Sequence, residues 1–209
     1  YSSRRQRQMC IRDRYYIMNE VNLIDNKFQV FDDIIPKENQ DAIENTLLSS
    51  YFPWYYNNGT VDEESISDHK KLNPTFKVDF QLTHRIVWQG QIESDFFHVI
   101  NDELLAPLEY DGRHVRRVKC NMQVNNNYEV KETGPHVDID EPHYVGLYYV
   151  SDSDGDTVLY NDDMTKMARV SPKKGRMVFF RGDIMHTSST PKEYRLRPVI
   201  NINLKNTFV

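Results

Sequence analysis

At 209 residues, 39% hydrophobic and 27% charged, with a net charge of −5, the chain is long enough to bury one substantial core. It has no run of about 18 apolar residues and no apolar leader stretch, which predicts no membrane span. The acidic balance argues against sequence-independent binding to nucleic acid. Its two cysteines, Cys10 and Cys120, are too few for a disulfide framework and predict a reducing, cytoplasmic setting.

In chain order, Arg4–Arg14 comes first and reads RRQRQMCIRDR. It resembles one translated frame of a transposon-derived sequencing adapter more than a native basic arm for an acidic partner. Residues 1–14 are accordingly expected to be non-native, with the native frame opening near Tyr15 or Met18 or truncated upstream. Setting Ser2–Arg14 aside removes five Arg and one Asp, takes the net charge from −5 to −9 and leaves Cys120 as the single cysteine.

Val21–Asp33 alternates enough for one or two short strands. Pro36 suits a first helical position, and Ala42, Ile43, Thr46 and Leu47 recur at helical spacing. Tyr51–Thr60 is aromatic and then turn-like at Asn58-Gly59, Asp62–Asn73 reads as an exposed polar loop, and Val78–Trp88 is extended. Ser94 is a good N-cap for a helix reaching Leu108, with Phe97, Ile100, Leu104 and Leu108 on one stripe. After Arg113 short β-branched and aromatic runs follow one another. Strands are predicted at Val115–Val124, His136–Asp138, Tyr144–Val150, Thr157–Tyr160, Arg169–Ser171, Met177–Phe180, Met185–Ser188 and Leu196–Leu204. This spacing is that of a jelly roll or sandwich. The expectation is one α+β domain over 15–209, with helical and strand support in 15–112 and a jelly-roll core in 113–209.

His136-Val137-Asp138 would place an imidazole and a carboxylate on one side of a strand. Alone such a pair is more often structural. His186 follows in GDIMHTSS and Arg197 opens RPVININL eleven residues later. Two His and one carboxylate from neighbouring strands leave coordination positions free on a metal, which suits non-haem Fe(II) oxygen chemistry. Structural zinc would usually recruit cysteine, and Cys120, distant in sequence, reads as a small buried hydrophobe.

The segments HVD, GLYYV, VSPKKGRMVFFRGDIMH and LRPVININL, within 115–204, resemble the double-stranded β-helix (cupin-like jelly-roll) core of the Fe(II)/2-oxoglutarate-dependent dioxygenases. The prolyl 4-hydroxylase-like branch, which includes phage-encoded forms, is the most similar; a phage origin would place the chain in a host cytoplasm. The resemblance implies N-terminal helices packed on one sheet. It implies iron ligation by His136, Asp138 and His186, and Arg197 on the distal carboxylate of 2-oxoglutarate. O2 would be the other co-substrate, and ascorbate is admitted as an accessory. Tyr149 falls where related hydroxylases place a tyrosine on the same carboxylate, although a core aromatic is an equal reading. Asn121 and Gln123 are further candidates for the co-substrate, or ordinary strand polar residues.

Arg195 competes with Arg197 but sits in an expected loop after Lys192 and Glu193. His143 more readily belongs to a connection than to a metal. His69, His84, His98 and His114 default to surface or core, and Trp54, Tyr55 and Tyr56 to aromatic packing rather than a substrate groove. Two departures from the family narrow the reading. Ser151–Asp156 is acidic where relatives carry a Gly-Gly-Glu-Leu-like segment. Nucleic-acid demethylases of the superfamily have a second arginine where this chain has Asn203, which argues against DNA or RNA repair. The implied activity is hydroxylation of a prolyl or other protein side chain, or of a small molecule. A non-catalytic jelly-roll binding or viral structural module and a cupin-type metalloenzyme without 2-oxoglutarate are the competing readings.

Overall fold

Apolar–polar alternation becomes strand, and three-to-four spacing becomes helix, along the residues that the computed structural model describes: 26–59, 80–109, 113–125 and 132–205. In chain order these form β1 (Phe28–Phe31), α1 (Lys37–Leu47), β2 (Tyr55–Asn57), β3 (Gln81–Trp88), β4 (Gln91–Ile92) and α2 (Phe97–Ile100). There follow β5 (Val115–Val124), β6 (His143–Tyr149), β7 (Thr157–Tyr160), β8 (Lys166–Val170), β9 (Met177–Arg181), β10 (His186–Ser188) and β11 (Leu196–Lys205). The adapter-like segment, the loop Asp62–Asn73 with His69, and the starts of the extended stretches at 21–25 and 78–79 lie outside the described residues. Among the described residues no helix is long and apolar enough to cross a membrane.

The helix at 37 begins one residue later than its sequence suggests. Pro36 stands outside it, with φ −54° and ψ 152°, and Gln40, Ile43 and Leu47 form its buried stripe. The helix expected from Ser94 to Leu108 is not regular. Ser94 Oγ accepts the Phe96 N–H at 3.1 Å, but α2 gives way to a π turn over Asn101–Leu105 and a 3-10 turn over Ala106–Leu108. The wider turn lets Leu104 and Leu105 both face the core. Pro107 lacks the N–H that would return to Glu103; that carbonyl accepts the Asn39 amide at 3.2 Å instead, tying α1 to the turn.

All strand pairs are antiparallel. A large sheet runs β1-β9-β6-β11-β5-β3-β2, with β4 on β3, and a small sheet runs β10-β7-β8. This is the jelly-roll core with helices on one sheet that the sequence predicts. Two elements differ from expectation. Tyr55–Asn57, in the aromatic stretch for which no strand was expected, is an edge strand, as its aromatic residues favour. The predicted strand His136–Asp138 reduces to a single bridge between His136 and His186, because Pro135 withholds a donor on one side and the chain turns away after Asp138.

The large sheet has two unlike faces. On one, Tyr148, Met177, Phe179, Ile200, Ile202 and Leu204 pack with Ile43, Leu47, Leu104 and Leu105 of the helical layer. Each such buried side chain stabilises by about 1.5–3 kcal/mol. On the other, Val145, Leu147, Tyr149, Val178, Phe180 and Val199 meet Leu159 and Val170 of the small sheet. Toward β5 this second face turns polar. Gln123, Asn121, Lys119 and Arg117 stand opposite Arg197, Val199, Asn201 and Asn203 of β11, and they floor a cleft between the sheets.

Candidate metal centre

The cleft encloses about 360 Å³ and has His136, Asp138 and His186 among its walls. The reciprocal backbone bonds His136 N–H to His186 O (3.0 Å) and His186 N–H to His136 O (2.9 Å) clamp the two histidines side by side, with ring centroids 4.8 Å apart. His136 Nδ1 lies 3.0 Å from the Gly134 carbonyl and His186 Nδ1 lies 3.1 Å from the Ile184 carbonyl. A carbonyl only accepts, so both Nδ1 atoms carry the proton, and each Nε2 is left with a free lone pair. His186 Nε2 is 3.9 Å from Asp138 Oδ1, and one ligating atom from each of the three residues lies within 4.8 Å of the others.

Asp138 follows the bridge on a turn, and its side chain is only 4% exposed. Three residues hold it through four hydrogen bonds. Arg117 Nη2 donates to Oδ1 at 2.6 Å and Nη1 to its carbonyl at 3.3 Å, while the Asn201 and Asn203 amides each donate to Oδ2 at 2.9 Å. Burial opposes ionisation of this carboxyl. Arg117 beside it and the Asn203 amide bonded to it work the other way, and the group is held far below the usual carboxylate range. Burial also pulls His186 down to about 4, against the pull of Asp138. Two neutral imidazoles oriented by carbonyls and one braced carboxylate fit a divalent transition metal, and three protein ligands leave its coordination sphere open.

Arg197 lies at the other end. It is 3% exposed, bonds the Gly155 carbonyl through Nε, and donates from Nη2 to Thr157 Oγ1 at 2.7 Å. No carboxylate pairs with it among the described residues, and burial lowers its pKa. Arg195 is exposed and lies just before β11, away from the cleft. Tyr149 is fully buried and does not line the cleft. Its hydroxyl donates to Thr157 Oγ1 at 2.7 Å, and its ring lies 5.8 Å from the Arg197 guanidinium. The Tyr149 hydroxyl also lies 3.3 Å from the Val170 carbonyl, and Thr157 Oγ1 sits between Tyr149 and Arg197. Opposite Arg197, Gln123 is 2% exposed and neither of its amide atoms has a partner; Asn121 Oδ1 is unpartnered as well. Buried amides left open on a cleft wall leave donors and acceptors available to a group bound there.

The acidic loop at 151–156 serves as scaffold. Asp152 accepts the Lys174 N–H at 2.8 Å, Asp154 accepts those of Lys192 (3.0 Å) and Glu193 (2.9 Å), and Asp156 binds Arg169 (3.0 Å) and Ser171 (2.8 Å). The pinned loop presents the Gly155 carbonyl to Arg197.

Other candidates stay apart from the centre. His143 is buried against Gly182, with Nδ1 2.7 Å from the Glu141 carbonyl. His84 bridges Pro53 and Ser94, Trp54 packs on Phe52, and Tyr55 and Tyr56 are exposed. Cys120 is a free, fully buried thiol whose pKa burial drives up. Sequence reasoning missed Arg117, Lys119, Thr157 and Asn201. The alternation of RxKxNxQ along β5 places Arg117 and Lys119 beside Asn121 and Gln123, but their partners lie in distant strands.

No protein-family profile matches the chain, and no curated protein does. Solved structures match along nearly its whole length. A prolyl hydroxylase in complex with a hypoxia-inducible-factor peptide, from Trichoplax adhaerens, has a TM-score of 0.62 at 13% identity, covering 95% of this chain and 91% of that one. An oxidoreductase of the 2OG-Fe(II) oxygenase family from Burkholderia pseudomallei scores 0.59 at 12% identity, covering 93% and 90%. The non-heme α-ketoglutarate-dependent epimerase SnoN from nogalamycin biosynthesis scores 0.60 at 11% identity, covering 93% and 83%. At such identities the likeness is one of fold.

Proposed function

We propose that the chain is an Fe(II)- and 2-oxoglutarate-dependent dioxygenase. The observation that carries this reading is the trio His136, Asp138 and His186, its ligating atoms within 4.8 Å, facing the same cleft as a buried arginine with no anionic partner among the described residues. The fold shared with an oxidoreductase of the 2OG-Fe(II) oxygenase family and an α-ketoglutarate-dependent epimerase supports it. A non-catalytic jelly roll gives no reason to bury Arg197 unpaired or to brace Asp138 with four donated bonds.

His136 and His186 would offer their Nε2 lone pairs to iron, and Asp138 an oxygen. Bound ferrous iron, with 2-oxoglutarate and O2, supplies an oxidant able to take hydrogen from an unactivated C–H bond, with succinate and CO2 as co-products. The protein's own part is to bind, orient and keep water out. Arg197 would pair with the distal carboxylate of 2-oxoglutarate, Thr157 would place its hydroxyl beside it, and Gln123 would offer its open amide. Tyr149 acts through Thr157, which it holds in place, rather than by touching the co-substrate. Arg117, Asn201 and Asn203 keep Asp138 ionised and aimed.

The substrate is assigned as a prolyl or other protein side chain, or a small molecule. A prolyl hydroxylase and an epimerase of small-molecule biosynthesis among the fold's relatives support both classes. Aerobic incubation of the purified chain with Fe(II) and 2-oxoglutarate tests the activity. Slow release of succinate without added substrate is expected, and it should disappear in His186→Ala. Folded, iron-loaded protein that forms no succinate contradicts the reading.

A further inference from the structure

The charges of the cleft do not balance once these guests are in place. Its described lining carries three cations, Arg117, Lys119 and Arg197, against one carboxylate, Asp138. Arg117 is matched by Asp138 at 2.6 Å. A ferrous ion and dianionic 2-oxoglutarate would cancel in sum, so the filled cleft keeps two positive charges; Arg197 at least would have the distal carboxylate of 2-oxoglutarate against it. Lys119 is left over. Among the described residues its ammonium has neither a hydrogen bond nor an ion pair; it feels Asp138 only through space.

Lys119 also stands in a telling place. Its register partner on β11 is Asn201, the residue whose amide holds Asp138, so Lys119 opens on the metal end of the cleft. Gln123 and Arg197 face each other at the opposite end. It is half-buried, and burial, with Arg117 and Arg85 nearby, depresses its pKa to about 8 against the pull of Asp138. A partly desolvated cation short of counter-charge is an environment that an arriving anion relieves. The rest of the described lining points the same way: its apolar side chains are Val137, Leu147 and Val199, and among the described residues it holds no aromatic ring other than the histidines. A hydrophobic substrate would find little here to bury against.

We propose, resting on the dioxygenase reading above, that Lys119 selects the primary substrate by ion-pairing an oxyanion group on it, a carboxylate or a phosphate ester. The group belongs to a small acid or to an acidic or phosphorylated residue in a peptide; the chemistry recognised is the same.

The test uses the full chain loaded with Zn(II) and saturating 2-oxoglutarate, so that no turnover occurs. L-glutamate, O-phospho-L-serine and L-glutamine are titrated calorimetrically, each free and with both ends blocked. The two anionic probes, or either of them, should bind at least about tenfold more tightly than glutamine, as expected for a charge-assisted bond. Lys119→Met should abolish that preference, Lys119→Arg should restore most of it, and 2-oxoglutarate affinity should hold in both. Binding of the blocked probes assigns the group to a peptide, and binding of the free ones alone assigns it to a small molecule; both support the proposal.

Wild-type protein that treats anions and glutamine alike, including binding none of them, overturns it. So does a preference that survives Lys119→Met, or a loss of 2-oxoglutarate affinity in that variant, which would make Lys119 a co-substrate residue. Failure of the dioxygenase reading itself shows separately, as wild-type protein that takes up no 2-oxoglutarate with the metal.

Discussion

Replacing Arg197 with Met separates binding from stability. Arg197 is 3% exposed and makes two hydrogen bonds, to the Gly155 carbonyl and to Thr157 Oγ1, but no ion pair. Burying a cation costs several kcal/mol, and each hydrogen bond from a charged donor returns about 1.5–3 kcal/mol, so the two contributions nearly cancel. Met fills similar space without charge. The ligand-free variant is therefore expected to lie within about 2 kcal/mol of the parent, or within about 8 °C in Tm for a chain of this size. Its affinity for 2-oxoglutarate should fall far more, because removing one partner of a buried charge pair costs about 2–5 kcal/mol, roughly 30-fold to more than 1,000-fold. Thermal unfolding of the Zn(II)-loaded protein with and without 2-oxoglutarate reads both quantities. At about 100 times its Kd the ligand stabilises the parent by roughly 2.7 kcal/mol, a shift of about 5–11 °C, and the variant should show less than about a third of it. A variant that keeps the parental shift, or that loses roughly 3 kcal/mol or more without ligand as a truncated core residue would, refutes the reasoning.

Asn203→Leu removes one of the two amides on Asp138 Oδ2 and should weaken metal binding by about 10–100-fold; unchanged affinity in chelator competition would contradict that bracing role. Gly155→Ala introduces a Cβ that collides with the Ser189 carbonyl and lies 2.7 Å from Arg197 Cδ. It should raise the Kd for 2-oxoglutarate by roughly tenfold or more through misplacement of the guanidinium, with metal affinity preserved; parallel titrations of the two ligands decide. In the metal-free protein, burial lowers His186 from 6.5 to about 4, so the unfolded chain binds this proton at a higher pH than the folded one. Its stabilising contribution is complete above pH 6.5, declines as pH falls toward 4 and changes no further below that. Denaturant titrations across this window should show a shallower pH slope in His186→Gln, and equal slopes would count against the assignment.

The jelly roll was legible because its strands read either as period-two alternation, as in β5 and β11, or as short apolar runs bounded by turn residues, as in β6, β7 and β9. Val118–Gln123 and Ile200–Leu204 announce both a buried and an open face, and seven of the eight strands predicted after Arg113 form close to their expected bounds. The break of the second helix was less visible, since Leu104 and Leu105 fit either a regular stripe or a widened turn. Of the site, His136, Asp138, His186 and Arg197 could be picked out by spacing, and Arg195 is set aside by its exposure just outside β11. What spacing could not show was how Asp138 is held. Arg117 comes from 21 residues away and Asn203 from 65, and strand order alone brings them together. Tyr149 was read as either a co-substrate contact or a core aromatic, and its bond to Thr157 was not visible because Thr157 belongs to the other sheet. Asn203, conspicuous in the sequence only as a missing arginine, is a brace for the carboxylate.

The most direct test of the centre is anaerobic titration of the metal-free protein with Fe(II) in the presence of 2-oxoglutarate, followed by visible absorption. A weak charge-transfer band that saturates at one iron per chain, requires 2-oxoglutarate and is absent from His136→Ala is the predicted result. Folded wild-type protein that develops no band, or that binds iron equally well without His136, would contradict the account.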